Sequence, residues 1–176
     1  MKEVLEELGV DARLYRVADE DLHIWANKSD AANDFYEDIS SLPIIHDSSL
    51  EKSKMVIFGS PTMFSNVSAE MKTFMDSTSE LCHKQGLSGK FFGCFASSSG
   101  NLYQGACCID TMVRFSQAHG MIHVPAGIDD AIPASVQVES GIVHLAGEES
   151  EVRPSAQFGD RIRRYCETVA EILNDE

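Results

Sequence analysis

Apolar residues in this chain fall into short runs separated by polar, glycine-bearing turns. Val4, Leu5 and Leu8 share one helical face, so residues 2–8 read as a helix that Gly9 can close in a left-handed conformation. Residues 12–17 then alternate in strand fashion around Leu14 and Val17. The chain therefore opens inside an α–β unit. Residues 18–50 are polar and acidic around an aromatic patch at Trp25, Phe35 and Tyr36, with a short helix expected near 31–39. Residues 55–58 are apolar on both faces, as in a parallel strand covered by helices on either side. Asn66 is placed to cap a helix over 67–81, in which Val67, Met71, Phe74 and Met75 form one stripe. Residues 91–96 are the next buried strand. A helix then runs to His119 with Ile109, Met112 and Val113 inward and Gly120 just past its end. Residues 121–124 read as a strand, and residues 155–173 as a helix with Phe158, Ile162, Tyr165, Val169 and Ile172 on one stripe.

Short apolar strands alternating with amphipathic helices define an α/β parallel sheet, here expected as one domain over residues 1–176. Such sheets bind ligands at the carboxyl ends of their strands, beside the switch in strand order. Two strand-end loops carry unusual chemistry. Ser60, Pro61, Thr62, Met63, Phe64, Ser65 and Asn66 surround one aromatic with small and hydroxylated residues, which suits a planar ring with polar edges. Ser97, Ser98, Ser99, Gly100 and Asn101 offer hydroxyls and amides to a ring edge or an anion. Each loop also reads simply as a strand-to-helix turn.

Composition narrows the partners. The net charge of -14 over 176 residues would repel a phosphate backbone, which argues against nucleic acid. The apolar runs are too short to span a bilayer and the acidic, amphipathic start is unlike a signal peptide, so a cytoplasmic protein is expected. Cys82, Cys94, Cys107, Cys108 and Cys166 contain no C-x-x-C pair, and the six histidines show no ligand spacing; no metal site is expected.

Read with their flanks, the two loops carry a family resemblance. The run FGSPTMFSNVSAEMKTFMDST over residues 58–78 resembles the signature FGTPTRFGNMSAQMKNFLDQT of the WrbA-type NAD(P)H:quinone oxidoreductases. LSGK at 87–90, FASSSG at 95–100, HGMIHVP at 119–125, LAG at 145–147 and RPS at 153–155 follow that family's pattern in order, from about Gly9 to the end of the chain. The resemblance implies a flavodoxin-like, doubly wound parallel sheet in three α/β/α layers. It also implies bound FMN, hydride transfer from NAD(P)H through the flavin to a quinone, and a homo-oligomer, tetrameric in the family.

Carried over, Pro61, Thr62, Met63, Phe64 and Asn66 form the first cofactor loop, with Thr62, Met63 and Phe64 lining the isoalloxazine. Ser97, Ser98, Ser99, Gly100, Asn101 and Leu102 would meet the pyrimidine edge through amides and hydroxyls. Cys82, where the family has a tryptophan over the site, and His119 would stand on the substrate side. No side chain is assigned the chemical step, which belongs to the flavin.

The departures are specific. Met63 replaces the family's arginine, Ser65 a glycine, and Ala118 the histidine that faces the ring. The family's first apolar strand and its phosphate-wrapping loop have no counterpart in the sequence. This leaves three readings: an FMN-dependent quinone reductase with weakened cofactor binding, a flavodoxin-like oligomerisation or binding module that no longer holds FMN, or a chain whose true start lies upstream of Met1 and supplies the strand and loop.

Overall fold

The computed structural model describes residues 1–28, 30–130, 133, 137–147 and 152–175, and of Trp25 and Ala31 the backbone only. The aromatic patch expected at Trp25 therefore lies partly outside the described side chains. The sheet is parallel throughout. Strand β1 (Met55–Pro61) pairs with β2 (Phe91–Ser98) from Met55↔Phe91 to Pro61↔Ser97. The other edge of β2 is shared end to end. Its first residues, Phe91 and Phe92, pair with β3 (Ile122–His123), and Phe95 to Ser98 pair with β4 (Ile142–Leu145). Strands β3 and β4 thus occupy one strand position, interrupted by residues 124–141.

Alternation along β2 divides the core in two. Phe92, Cys94 and Ala96 face α6 (Ala69–Ser77), α7 (Ser79–His83) and α8 (Leu102–Ala118), packing with Phe58, Met71, Met75, Leu81, Ile109 and Met112. Phe58 meets the Phe92 ring edge-on at 5.2 Å. The opposite side of the sheet, with Met55, Ile57, Phe91 and Ile142, is covered by α1 (Lys2–Glu7) and α9 (Ala156–Asn174) through Leu5, Tyr165, Cys166 and Val169. Each such side chain removed from water contributes about 1.5–3 kcal/mol. The result is the expected three-layer α/β/α arrangement.

Most elements match the reading of the chain. Gly9 closes α1 at φ +84, and Ser155 caps α9 by accepting from the Phe158 N–H. The differences have physical causes. Residues 12–17 form no strand; they touch Ile44 through a single bridge at Arg16, because among the described residues no strand lies beside them to complete a ladder. In place of one helix over 31–39 there are α3 (Asp30–Asn33) and α4 (Tyr36–Ser41), preceded by α2 (Leu22–Ala26). The helix α5 (Asp47–Lys52) and strand β4 carry too few residues to announce themselves by periodicity.

Strand β1 is buried only at Phe58 and Ser60, although its sequence is apolar on both faces. Among the described residues it has a strand partner only in β2, so its outer edge is bare. Beside that edge the Phe95 ring lies across Gly59, where a Cβ would stand 2.1 Å from the ring, and remains 40% exposed.

Candidate functional site

The two loops singled out in the sequence meet at the carboxyl ends of β1 and β2. The Thr62 N–H donates to the Ser97 carbonyl (2.7 Å), continuing the β1–β2 ladder past Pro61 and tying one loop to the other. The chain then reverses between Met63 and Asn66, which exchange backbone bonds of 2.8 and 3.0 Å. Phe64 and Ser65 sit at the tip with φ of 49 and 62, both left-handed, as a type I′ turn requires. The left-handed conformation costs a non-glycine residue about 1–2 kcal/mol. The Phe64 side chain is fully exposed and Met63 is exposed beside it.

Buried serines hold this turn in place. Ser60 Oγ donates to the Pro61 carbonyl (2.8 Å) and accepts from the Ser68 N–H (3.0 Å). Ser68 then caps α6 by accepting from the Met71 N–H (3.2 Å). The helix cap expected at Asn66 is therefore at Ser68, while Asn66 Oδ1 accepts, among the described residues, only from the next residue's N–H (2.8 Å). The expected helix over 67–81 is two helices, broken at Thr78, whose hydroxyl donates back to the Met75 carbonyl (2.8 Å).

In the second loop Ser98 Oγ donates to the Asn101 carbonyl (3.3 Å), and Asn101 Oδ1 caps α8 by accepting from the Gln104 N–H (3.1 Å). Gly100 lies under Gln104, whose Oε1 would stand 2.0 Å from a Cβ there. Ser99, Gly100 and Asn101 are exposed, and Leu102 packs partly into the core. The end of β4 joins this group through the Ala146 N–H, which donates to the Ser98 carbonyl (2.8 Å). Tyr103, exposed in the first turn of α8, stands at the same end of the sheet; position was its only signal in the sequence.

The Thr62 hydroxyl turns inward. Thr62 Oγ1 is buried without a hydrogen-bond partner among the described residues and lies beside the Cys108 thiol. Burial pushes Cys94 up to about 12 and raises Cys108 as well, so neither core thiol is poised as a nucleophile at neutral pH.

Cys82 and His119 lie elsewhere. Helix α8 runs back against the strands, and at its far end the Ile122 N–H donates to the Lys90 carbonyl (2.8 Å) at the start of β2. Its 17 residues span about 25 Å, which separates Ala118 and His119 from the loops of the same chain. There Cys82 Sγ donates to the Ala118 carbonyl (3.3 Å). The His119 ring is 6% exposed, lies 4.3 Å from the Phe115 ring and is 3.1 Å from Thr78 Oγ1 through Nε2. Because that hydroxyl donates to Met75, it accepts from His119, and the proton is on Nε2. Ala118, by contrast, is exposed.

The residues at the loop end fit a flat ring. Met63 and Phe64 offer an apolar wall, and the first-turn amides of α8 point toward the same end. They fit a dianionic phosphate less well, since the hydroxyls of Ser60, Ser68 and Ser98 are spent within the loops and that of Thr62 is buried. Among the described residues there is no cluster of metal-ligating side chains, and no helix is long and apolar enough to cross a membrane.

A parallel sheet between two helical layers, with loops gathered at its carboxyl edge, is the flavodoxin-like class of α/β protein, and solved structures agree. A WrbA-like flavodoxin from Agrobacterium tumefaciens superposes with a TM-score of 0.57 at 19% identity, over 76% of this chain and 75% of that one. A flavodoxin from the domain Archaea gives 0.51 at 16% identity, over 90% and 94%. An NADPH-quinone reductase from P. pentosaceus gives 0.50 at 17% identity, over 81% and 90%. Residues 1–128 match the family of NADPH-dependent FMN reductases, and the chain belongs to that family, one of FMN-dependent oxidoreductases.

Proposed function

We propose that this protein is an FMN-dependent NAD(P)H:quinone oxidoreductase with weakened hold on its cofactor. The observation that carries the reading is the convergence of the Met63–Asn66 turn and the loop before α8 at one edge of the sheet, in a chain of the FMN reductase family. FMN would supply the two-electron chemistry between NAD(P)H and quinone. The chain's own residues would orient it. Met63 and Phe64 would flank the ring, with Pro61, Thr62 and Asn66 shaping the turn that presents them. Ser97, Ser98, Ser99, Gly100, Asn101 and Leu102 would border the polar edge. With the hydroxyls of Ser60, Ser68 and Ser98 engaged within the loops, this edge would offer fewer phosphate contacts, each worth roughly 1.5–3 kcal/mol when charge-assisted, and affinity would fall accordingly.

Cys82 and Ala118 lie about 25 Å of helix from their own chain's loops, so a neighbouring copy would have to bring them to the ring. A homo-oligomer, tetrameric by resemblance, follows from this reading. The five unpaired cysteines suit a reducing compartment, the cytoplasm.

The test is a titration with FMN, read as flavin fluorescence and as Tm, followed by NAD(P)H oxidation with a quinone acceptor. Binding should saturate and raise Tm, and Phe64→Gly should weaken it about tenfold by removing an aromatic face. Absence of any Tm shift at saturating FMN would sink the proposal. The inward-turned hydroxyls favour a second reading, a binding module without redox turnover. Light scattering that shows a stable oligomer, together with no NAD(P)H oxidation, would select it.

A further inference from the structure

At the opposite end of the sheet a concavity of about 430 Å³ opens between the end of α5 and the approach to β2. Lys52, Lys54 and Lys90 line it, together with Ser88 and Gly89. Three of the chain's seven lysines thus meet here, in a protein with 28 acidic and 14 basic residues.

Their surroundings distinguish them. Lys2, Lys72 and Lys84 each pair with a carboxylate four residues away, at 2.7, 2.5 and 2.5 Å. Lys52, Lys54 and Lys90 have no carboxylate within 4.0 Å among the described residues. Lys90 is fixed in place. Its Nζ donates to the carbonyls of Glu51 (2.7 Å) and Ser53 (2.6 Å), which sets one ammonium beside the backbone that carries Lys52 and Lys54. Two neutral carbonyls orient that ammonium without cancelling its charge, and one of its three donors is left. Ser88 is exposed on the same wall and can donate from its hydroxyl. Capping of α5 accounts for Lys90 but leaves Lys54 outside the helix unexplained. One carboxylate stands near the rim: Glu51 Oε1 would lie 3.4 Å from a Cβ at Gly86, which also lines the concavity, and it is paired with none of the three lysines. Three like charges around one concavity repel one another until an anion neutralises them, and a monovalent ion would leave most of that charge standing.

We propose that this concavity binds a multivalent phosphate group, a pyrophosphate or a phosphate ester, at a site separate from the strand-end loops and independent of the flavin reading. The full-length protein would be titrated with inorganic pyrophosphate at low salt by calorimetry and by Tm, with sodium chloride at matched ionic strength as control. Saturable binding is expected, weakened about tenfold or more in K52Q/K54Q, whose side chains are exposed and outside the packed core. ADP as a second ligand separates the sources: equal affinity marks the inorganic anion, tighter binding marks a nucleotide. The proposal is overturned by no saturation up to about 10 mM, by an equal effect of sodium chloride, or by unchanged affinity in K52Q/K54Q with its unperturbed Tm.

Discussion

His119 shows how a residue's surroundings can change its meaning. Its ring is buried between Phe115 and Thr78, and Nδ1 has no partner among the described residues. Burial holds its pKa below the ordinary histidine value, slightly offset by the Asp47 charge. The unfolded chain therefore binds a proton that the folded chain resists. That stability is complete above about pH 6.5 and is lost as the pH falls through the unfolded value toward the lower folded one. The urea midpoint should drop between pH 7.5 and 5.5, values that bracket about one unit either side of the unfolded pKa, and the drop should shrink in His119→Phe. An identical pH profile in the variant would exclude His119 as the cause. The sequence displayed this histidine as a candidate on the substrate side; that its ring faces the core could be known only once α6 and α7 had brought Thr78 against the end of α8. Thr62 is similar. Its residue type suits a ring-binding loop, but its hydroxyl is directed inward at Cys108.

At the scale of elements, helix interiors were legible and their ends less so. The stripe through Met71 and Met75 was visible because burial of one face imposes its spacing on the sequence. The cap was not, because Asn66 and Ser68 are both good capping residues and a distant hydroxyl decides between them. Ser60 Oγ accepts the Ser68 N–H and so fixes where the helix begins. Ser68→Ala should cost about 1 kcal/mol in chemical denaturation, whereas Asn66→Ala should cost clearly less. Equal losses would mean that both side chains cap. The strand expected at 12–17 failed for a complementary reason: alternation records which side chains could be buried, and a strand also needs a neighbour to accept its backbone bonds.

For the whole molecule, a buried cation ties the divided strand position of β3 and β4 to α9. Arg161 on α9 is 3% exposed, and its Nη2 donates to the Val138 carbonyl (2.8 Å) and, at 3.5 Å, to that of Gly127. It clips both flanks of the excursion between β3 and β4 to the helix covering them. Arg161→Met should retain the packing volume but lose these bonds, costing about 2 kcal/mol. Amide exchange should accelerate first in Ile142–Leu145. Uniform acceleration over the whole sheet would instead point to a global role. In the sequence Arg161 is one of three arginines within four residues of a helix, and nothing local separates it from its exposed neighbours Arg163 and Arg164.

The sequence by itself determined the alternation of strands and helices, the two loops at strand ends and the family, because periodic burial and a run of 21 ordered residues are written directly in residue types. Only the tertiary structure decided which hydroxyls of those loops are free, that Cys82 and His119 stand at the other end of α8, and that β1 has a bare outer edge. It also decided that Lys52, Lys54 and Lys90 share one concavity. The physical reason is the same in each case. Hydrogen-bond partners, burial and local potential belong to groups brought together from distant parts of the chain, and a residue's type and its immediate neighbours carry no record of that company.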